Sequence, residues 1–214
     1  MNKELWGFAL AAAFLIPAVS PAQGLEHIKN LDVGDKLTYN YFHNVAPPLS
    51  MVEEVVEVTD AEIRMTQRVG DRTYQAALSA RDLFWLRGFG LSTSEAGEWS
   101  PAWAWADFPL KNGKAWSRRM TANDESFISE IAYEMKVDGV ERITTPAGEF
   151  EAYRVSGSET ISSRGKTGAG PYNGKAWLTI WVTSVKGKPV FVKFEYQNTF
   201  GMFSRRELVA ADLK

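Results

Sequence analysis

Two carboxylates at a tryptophan-rich segment are the residues best placed for acid–base chemistry. The segment reads WSPAWAWADFPLKNGKAW; Glu98 directly precedes it and Asp107 lies within it. Two carboxyl groups across a cleft can hydrolyse a glycosidic bond, one as the acid and the other as the base or nucleophile. Such a pair is formed in space and leaves no local signature. We therefore favour the simpler interpretation, in which Glu98 and Asp107 are solvated surface carboxylates.

Other residue types that carry chemistry are scarce. The chain has no cysteine and two histidines, His27 and His43. This composition removes thiol catalysis and cysteine-ligated metals, and the sequence has no paired-histidine zinc spacing and no G-x-S-x-G motif. His43 ends the first predicted strand, where we expect a hydrogen-bonded side chain rather than a catalytic base. The sequence thus predicts no catalytic residue, no metal and no cofactor.

Tryptophan offers a different kind of site, because indole rings provide large apolar faces with one polar atom. In extended segments Trp103 and Trp105 share one face, and Trp177 and Trp181 share another. We predict that these four side chains line a ligand cavity. Exposed, coplanar rings of Trp99, Trp103 and Trp105 would instead form a sugar-binding platform. Close packing of the rings into the core is the third interpretation.

The elements that must position these residues are strands. Polar and apolar residues alternate in Lys36–Phe42, and short β-branched or aromatic runs recur between turn residues. Asp138-Gly139 suits a two-residue hairpin turn, and Thr145–Gly148 and Lys186–Pro189 suit further turns. No segment keeps a helical apolar period over three turns. We predict an all-β fold, an antiparallel curved sheet or incomplete β-barrel of about 8–10 strands, after an N-terminal signal helix.

The second predicted strand, Ser50–Asp60, has an interrupted alternation. Glu53 and Glu57 lie on one side of it, and three valines lie on the other: Val52, Val56 and Val58. Glu54 and Val55 break the alternation, which is compatible with a bulge at these two residues.

Two arginine pairs, Arg118-Arg119 and Arg205-Arg206, raise the question of an anion site. Arginine side chains bind phosphates and anionic headgroups through two parallel hydrogen bonds. Adjacent strand residues point to opposite faces, so at most one arginine of each pair could join such a site. We favour a solvated, charged strand edge.

The N-terminus has the layout of a secretory signal peptide. Lys3 precedes an apolar run, Leu5–Val19, and small residues follow. We place cleavage after Ala22, with cleavage after Gly24 as the alternative, which gives a signal peptide of residues 1–22 and a single β domain of residues 23–214. The apolar run is shorter than the roughly 20 residues of a membrane-spanning helix. We expect a periplasmic protein without a membrane span after cleavage.

Charge narrows the range of partners. The net charge is −2 and no long basic block occurs, so we expect no nucleic-acid partner.

Three segments resemble exported β-proteins of Gram-negative bacteria that are grouped in families of unknown function. They are GDKLTY (Gly34–Tyr39), FPLKNGKAW (Phe108–Trp116) and ITTPAGEF (Ile143–Phe150). Those proteins carry F-P-L-x-x-G-x-x-W and V-x-V-P-A-G-x-F-x-A motifs, whereas the late segment Trp181–Gly187 departs from their A-P-x-x-G turn. The resemblance implies an open or flattened antiparallel barrel and transfers no catalytic residue. By analogy of fold, it implies an acyl chain as a ligand.

The functional prediction follows from these observations. We expect non-catalytic binding of an apolar or amphipathic envelope component, such as a lipid, in the manner of a lipoprotein carrier. A carbohydrate-binding module and a structural or assembly protein of the envelope are the alternatives. An enzyme that uses Glu98 and Asp107 is a further one.

Overall fold

A computed structural model gives the architecture of the chain. It describes Leu25 and residues 30–89, 96–123, 127–166 and 171–214. The predicted signal peptide and His27 lie outside these residues. Within the described ranges, no helix has the length and apolar character needed to cross a membrane.

The described residues form twelve strands. Their bounds are β1 (Lys36–His43), β2 (Leu49–Val58), β3 (Glu62–Val69), β4 (Arg72–Ser79), β5 (Trp85–Phe89), β6 (Ala96–Trp103), β7 (Ala115–Asn123), β8 (Phe127–Thr145), β9 (Gly148–Gly165), β10 (Tyr172–Val185), β11 (Lys188–Asn198) and β12 (Phe203–Asp212).

The strands form one antiparallel sheet that closes on itself. Each strand pairs with its neighbour in sequence, and β1 also pairs with β12, for example Tyr39 with Leu208. The predicted all-β, barrel-like fold is confirmed. The barrel is closed and has more strands than we expected.

Turn chemistry explains part of this topology. Lys186 and Gly187 both have positive φ, as a two-residue hairpin turn requires, and they join β10 to β11 as predicted. Asp138-Gly139 behaves differently. The register between β8 and β9 shifts between Val137 and Gly139, so this dipeptide is a bulge inside one long strand rather than a hairpin turn.

The buried side of β2 is the one that carries Glu53. Val56 and Val58 are exposed, whereas Met51, Glu53 and Val55 are buried. The register between β2 and β3 shifts between Val55 and Glu57, so the bulge lies later than predicted. Beyond the bulge, Val56, Glu57 and Val58 are all exposed, so the alternation of buried and exposed side chains in β2 ends there.

Buried apolar residues form two clusters. The larger side chains of the first cluster are Trp85, Trp103, Trp105, Tyr133, Phe194 and Tyr196. Those of the second cluster are Tyr39, Tyr41, Met51, Phe150, Trp181 and Leu208.

Buried polar side chains lie between the two clusters. On β2, Glu53 separates Met51 of the second cluster from Val55 of the first. Gln67 Nε2 donates a hydrogen bond to Glu53 Oε1 at 2.8 Å, and Arg206 Nη1 lies 3.6 Å from the same oxygen. The buried region therefore contains a polar layer between its two apolar clusters.

Candidate functional site

The candidate site is a groove across β7, β8, β9 and β10, here called the outer groove. Its volume is about 730 Å³. Across its width, Ser117, Glu134, Ser158 and Trp177 occupy paired positions on successive strands. The groove thus crosses four strands and does not depend on one loop.

The outward face of β9 forms the floor of the groove. Hydroxyl residues alternate along this strand with residues that face the core, and we call them the hydroxyl stripe: Ser156, Ser158, Thr160 and Ser162. Because these side chains are short, the surface of β9 lies deeper than the side chains of the neighbouring strands. Beyond Ser158, Thr160 and Ser162 line adjoining depressions of about 530 and 370 Å³. The concave surface therefore continues along β9.

Trp177 stands at the outer groove with half of its surface exposed (50%). Its neighbours Leu178 and Ile180 on β10 point the other way, into the first cluster. An indole ring removes roughly 150–250 Å² from water when it is fully covered. Covering the exposed half with a ligand would contribute about 2–3 kcal/mol.

Charged side chains accompany the indole ring. Glu134 and Lys136, on the outward face of β8, are both exposed and line the groove. The outer groove therefore combines one apolar ring face with hydroxyl, carboxylate and ammonium groups. This arrangement can hold a ligand that has both an apolar face and polar edges.

The structure places Trp103 and Trp105 in the first cluster. They are 4% and 6% exposed, and their rings meet edge to face with centroids 5.0 Å apart and an interplanar angle of 75°. This pair does not supply the exposed, coplanar surface that the sugar-platform alternative requires. The Trp99 side chain lies outside the described part of the chain.

Trp181 is buried in the second cluster, unlike Trp177 on the same strand. Its indole N–H donates a hydrogen bond to Glu141 Oε1, and Lys193 Nζ lies 4.8 Å from its ring centroid. The four predicted tryptophans therefore do not share one surface. Trp177 alone among them lies at the outer groove.

The other residues that we considered for catalysis are Asp107, His43 and Glu98. Asp107 lies 3.6 Å from Lys114 Nζ and 3.9 Å from Arg118 Nη2. His43 Nδ1 lies 3.4 Å from the Tyr41 hydroxyl, at the end of β1 as expected. The Glu98 side chain lies outside the described residues. Among the residues that the structure describes, no group of three or more potential metal ligands comes together.

Sequence reasoning missed the hydroxyl stripe. The segment VSGSETISS, residues 155–163, alternates small polar residues with residues that are mostly buried. Because successive strand residues face opposite sides, this pattern already indicates a strand with a hydroxyl face. Its position beside Trp177 depends on the pairing of β9 with β10.

Gly157 makes close packing beneath the groove possible. A Cβ atom at this position would overlap the Met135 sulfur and the Glu134 carbonyl oxygen. We expect Gly157→Ala to lower the free energy of unfolding by about 1–3 kcal/mol, because the backbone oxygen cannot move away without distorting β8. Urea denaturation measures this change. The control is Ser158→Ala, which should stay within about 0.5 kcal/mol of the wild type; equal stability of the two variants would contradict the packing described.

Two solved crystal structures resemble this chain in fold. A candidate exported protein with a YmcC-like fold from Bacteroides fragilis shows 14% sequence identity and a TM-score of 0.54, over 87% of this chain and 99% of the other. A candidate lipoprotein from Parabacteroides distasonis shows 14% identity and a TM-score of 0.53, over 85% and 96%. No protein-family model matches the sequence, and no curated protein does so. At this identity the likeness establishes the fold alone.

Proposed function

We propose that the protein is an exported, non-enzymatic binding protein that holds an amphipathic component of the cell envelope in the outer groove. The observation that carries this proposal is the half-exposed indole of Trp177 beside the hydroxyl stripe. Export to the periplasm is supported by the signal-peptide layout of residues 1–22. It is also supported by the fold shared with proteins named as exported or lipoprotein candidates.

A saccharide is the ligand chemistry that fits this surface best. A sugar ring has an apolar face of C–H groups, which can stack on the Trp177 indole, and a rim of hydroxyl groups. Ser158, Glu134 and Lys136 lie beside the indole and can donate or accept hydrogen bonds to that rim. The ligand is therefore a glycan, or the saccharide headgroup of a lipid.

The length of the hydroxyl stripe fits an extended ligand. From Ser156 to Ser162 the strand advances six residues, which corresponds to roughly 20 Å at the usual rise per residue. A chain of several sugar units fits along that distance.

An acyl chain fits the described residues less well. Trp103, Trp105 and Trp181 are packed against other side chains in the two clusters, so an acyl chain would have to displace that packing. The lining of the outer groove includes the polar side chains of Ser158, Glu134 and Lys136 beside the Trp177 indole. A lipid ligand would therefore contact the groove through its headgroup.

Trp177→Ala tests the function directly. We expect the variant to bind immobilised bacterial glycans at least about tenfold more weakly, because the stacking surface is lost. A glycan array, followed by calorimetric titration of the glycans that are bound, measures the change. The control is Leu49→Ala, which removes a similarly exposed apolar side chain from β2. Equal binding by wild type and Trp177→Ala would place the ligand elsewhere.

A further inference from the structure

A second feature lies between the two apolar clusters, away from the outer groove. Arg206 on β12 is 5% exposed, and its Nη1 atom faces Glu53. Its other two nitrogens, Nε and Nη2, are buried and have no hydrogen-bond partner among the described residues. These two atoms form one edge of the guanidinium group, the edge that binds a carboxylate or phosphate through two parallel hydrogen bonds.

Three further buried donors belong to neighbouring residues. The ring centroid of Trp105 lies 5.8 Å from Arg206 Cζ, and that of Trp85 lies 5.4 Å from Trp105. The indole nitrogens of both tryptophans lack a partner within the described ranges, as does the hydroxyl of Ser204. Ser204 lies on the same face of β12 as Arg206, two residues away. We call these four residues the donor cluster: Trp85, Trp105, Ser204 and Arg206.

Glu53 is the carboxylate that faces Arg206, and the Tyr41 ring centroid lies 6.0 Å from Arg206 Cζ. Glu53 Oε1 faces Arg206 Nη1 and already accepts a hydrogen bond from Gln67 Nε2. Burial raises the pKa of Glu53, opposed by Arg206 and by the hydrogen bond from Gln67. A neutral Glu53 would leave the Arg206 cation without a compensating charge. Folded proteins satisfy nearly all buried donors, so this excess of donors calls for an acceptor beyond those that the described residues provide.

We infer that the donor cluster is a binding site for an oxyanion, a carboxylate or phosphate group of a small molecule enclosed by the barrel. The free guanidinium edge of Arg206 takes two oxygens of the group. The indole N–H groups of Trp85 and Trp105 and the Ser204 hydroxyl bind the remaining lone pairs. Trp85 lies on β5, the shortest described strand, which pairs with β4 at two positions.

The test compares oxyanions with chloride at equal ionic strength. Sodium acetate and inorganic phosphate serve as the carboxylate and phosphate probes, and thermal unfolding of the wild type is followed as each is titrated. We expect at least one of them to raise the unfolding midpoint in a saturable manner that chloride does not reproduce. An effect of acetate would identify the group as a carboxylate, and an effect of phosphate would identify it as a phosphate.

Matched variants locate the effect. Arg206→Lys keeps the charge but removes the two-nitrogen edge, and we expect it to weaken the binding of the active probe at least about tenfold. Arg205→Lys, on the opposite face of β12, should bind as the wild type does. Should Arg206→Lys fail to fold, Trp85→Phe and Ser204→Ala each remove one donor and should weaken binding. The inference is overturned if acetate, phosphate and chloride give the same midpoint, as expected when ordered water alone satisfies the donors, or if the Arg206 and Arg205 variants respond alike.

Discussion

Between pH 5 and pH 8 the Glu159→Gln variant is expected to lose less stability than the wild type, by on the order of 4 kcal/mol. Glu159 lies on the buried side of β9 and is 2% exposed. Burial raises its pKa from 4.5 to about 8. Its Oε1 atom has no hydrogen-bond partner among the described residues.

The sign follows from proton binding. The folded-state pKa of Glu159 exceeds the unfolded value, so between about pH 4.5 and pH 8 the folded state holds a proton that the unfolded state has released. Stability therefore falls as the pH rises through this window. Glutamine cannot ionise, and the decline attributable to residue 159 disappears.

Urea denaturation at four pH values across this window measures the effect. Glu149→Gln, an exposed position on the same strand, is the control and should retain the decline of the wild type. A Glu159→Gln variant whose stability falls with pH as steeply as that of the wild type would show that Glu159 ionises freely in the folded protein.

The Lys188→Met variant is expected to lose about 3–5 kcal/mol of unfolding free energy. Lys188 is 2% exposed, and its Nζ atom lies 2.6 Å from Asp35 Oδ2 and 2.7 Å from Asp32 Oδ2. Methionine fills a similar volume but leaves the buried Asp35 carboxylate without its cation.

Asp35 shows what the lysine supplies. Burial opposes its ionisation, yet hydrogen bonds from Lys188 and from the backbone N–H groups of Asp32 and Lys214 hold its pKa below the ordinary value. Adding Asp35→Asn to Lys188→Met removes the uncompensated charge and should recover part of the loss. Lys175→Met, at an exposed position, should change stability by less than about 0.5 kcal/mol. A loss below about 1 kcal/mol for Lys188→Met would contradict the role of this ion pair.

Local chemistry predicts much of this fold. The alternation in β1 and the turn at Lys186-Gly187 depend on a few adjacent residues, and both have the structure that they indicate. The bulges depend on pairing between strands. Asp138-Gly139 has the residues of a hairpin turn, yet the continuous pairing of β8 with β9 accommodates it as a bulge.

The candidate site shows where sequence reasoning reaches its limit. Trp177 and Trp181 lie an even number of residues apart on β10, so alternation places them on the same face. The residues that contact each of them, however, belong to distant parts of the chain. Glu141 and Lys193 cover Trp181, while Trp177 stays exposed above small residues of β9. The exposure of an aromatic residue depends on the side chains of the neighbouring strands. The alternation of residues within one strand does not predict those side chains.

Arg206 gives a second example. We expected the Arg205-Arg206 pair at a charged edge, but Arg206 shares the buried face of β12 with Leu208 and Ser204. The period-two pattern assigns it to that face. Most arginine side chains in proteins are solvated, which is why we expected Arg206 at the surface. In the structure, a carboxylate and several aromatic rings surround its guanidinium group instead.

The most direct test of the proposed function is native mass spectrometry of the mature protein isolated from the producing organism under gentle conditions, with the Trp177→Ala variant prepared in parallel. We expect an adduct on the wild type whose fragments have the masses of sugar units, and its loss or marked reduction on Trp177→Ala. A wild type that carries no sugar-containing adduct, or a sugar-containing adduct that both proteins carry equally, would contradict the assignment of the outer groove as a saccharide-binding site.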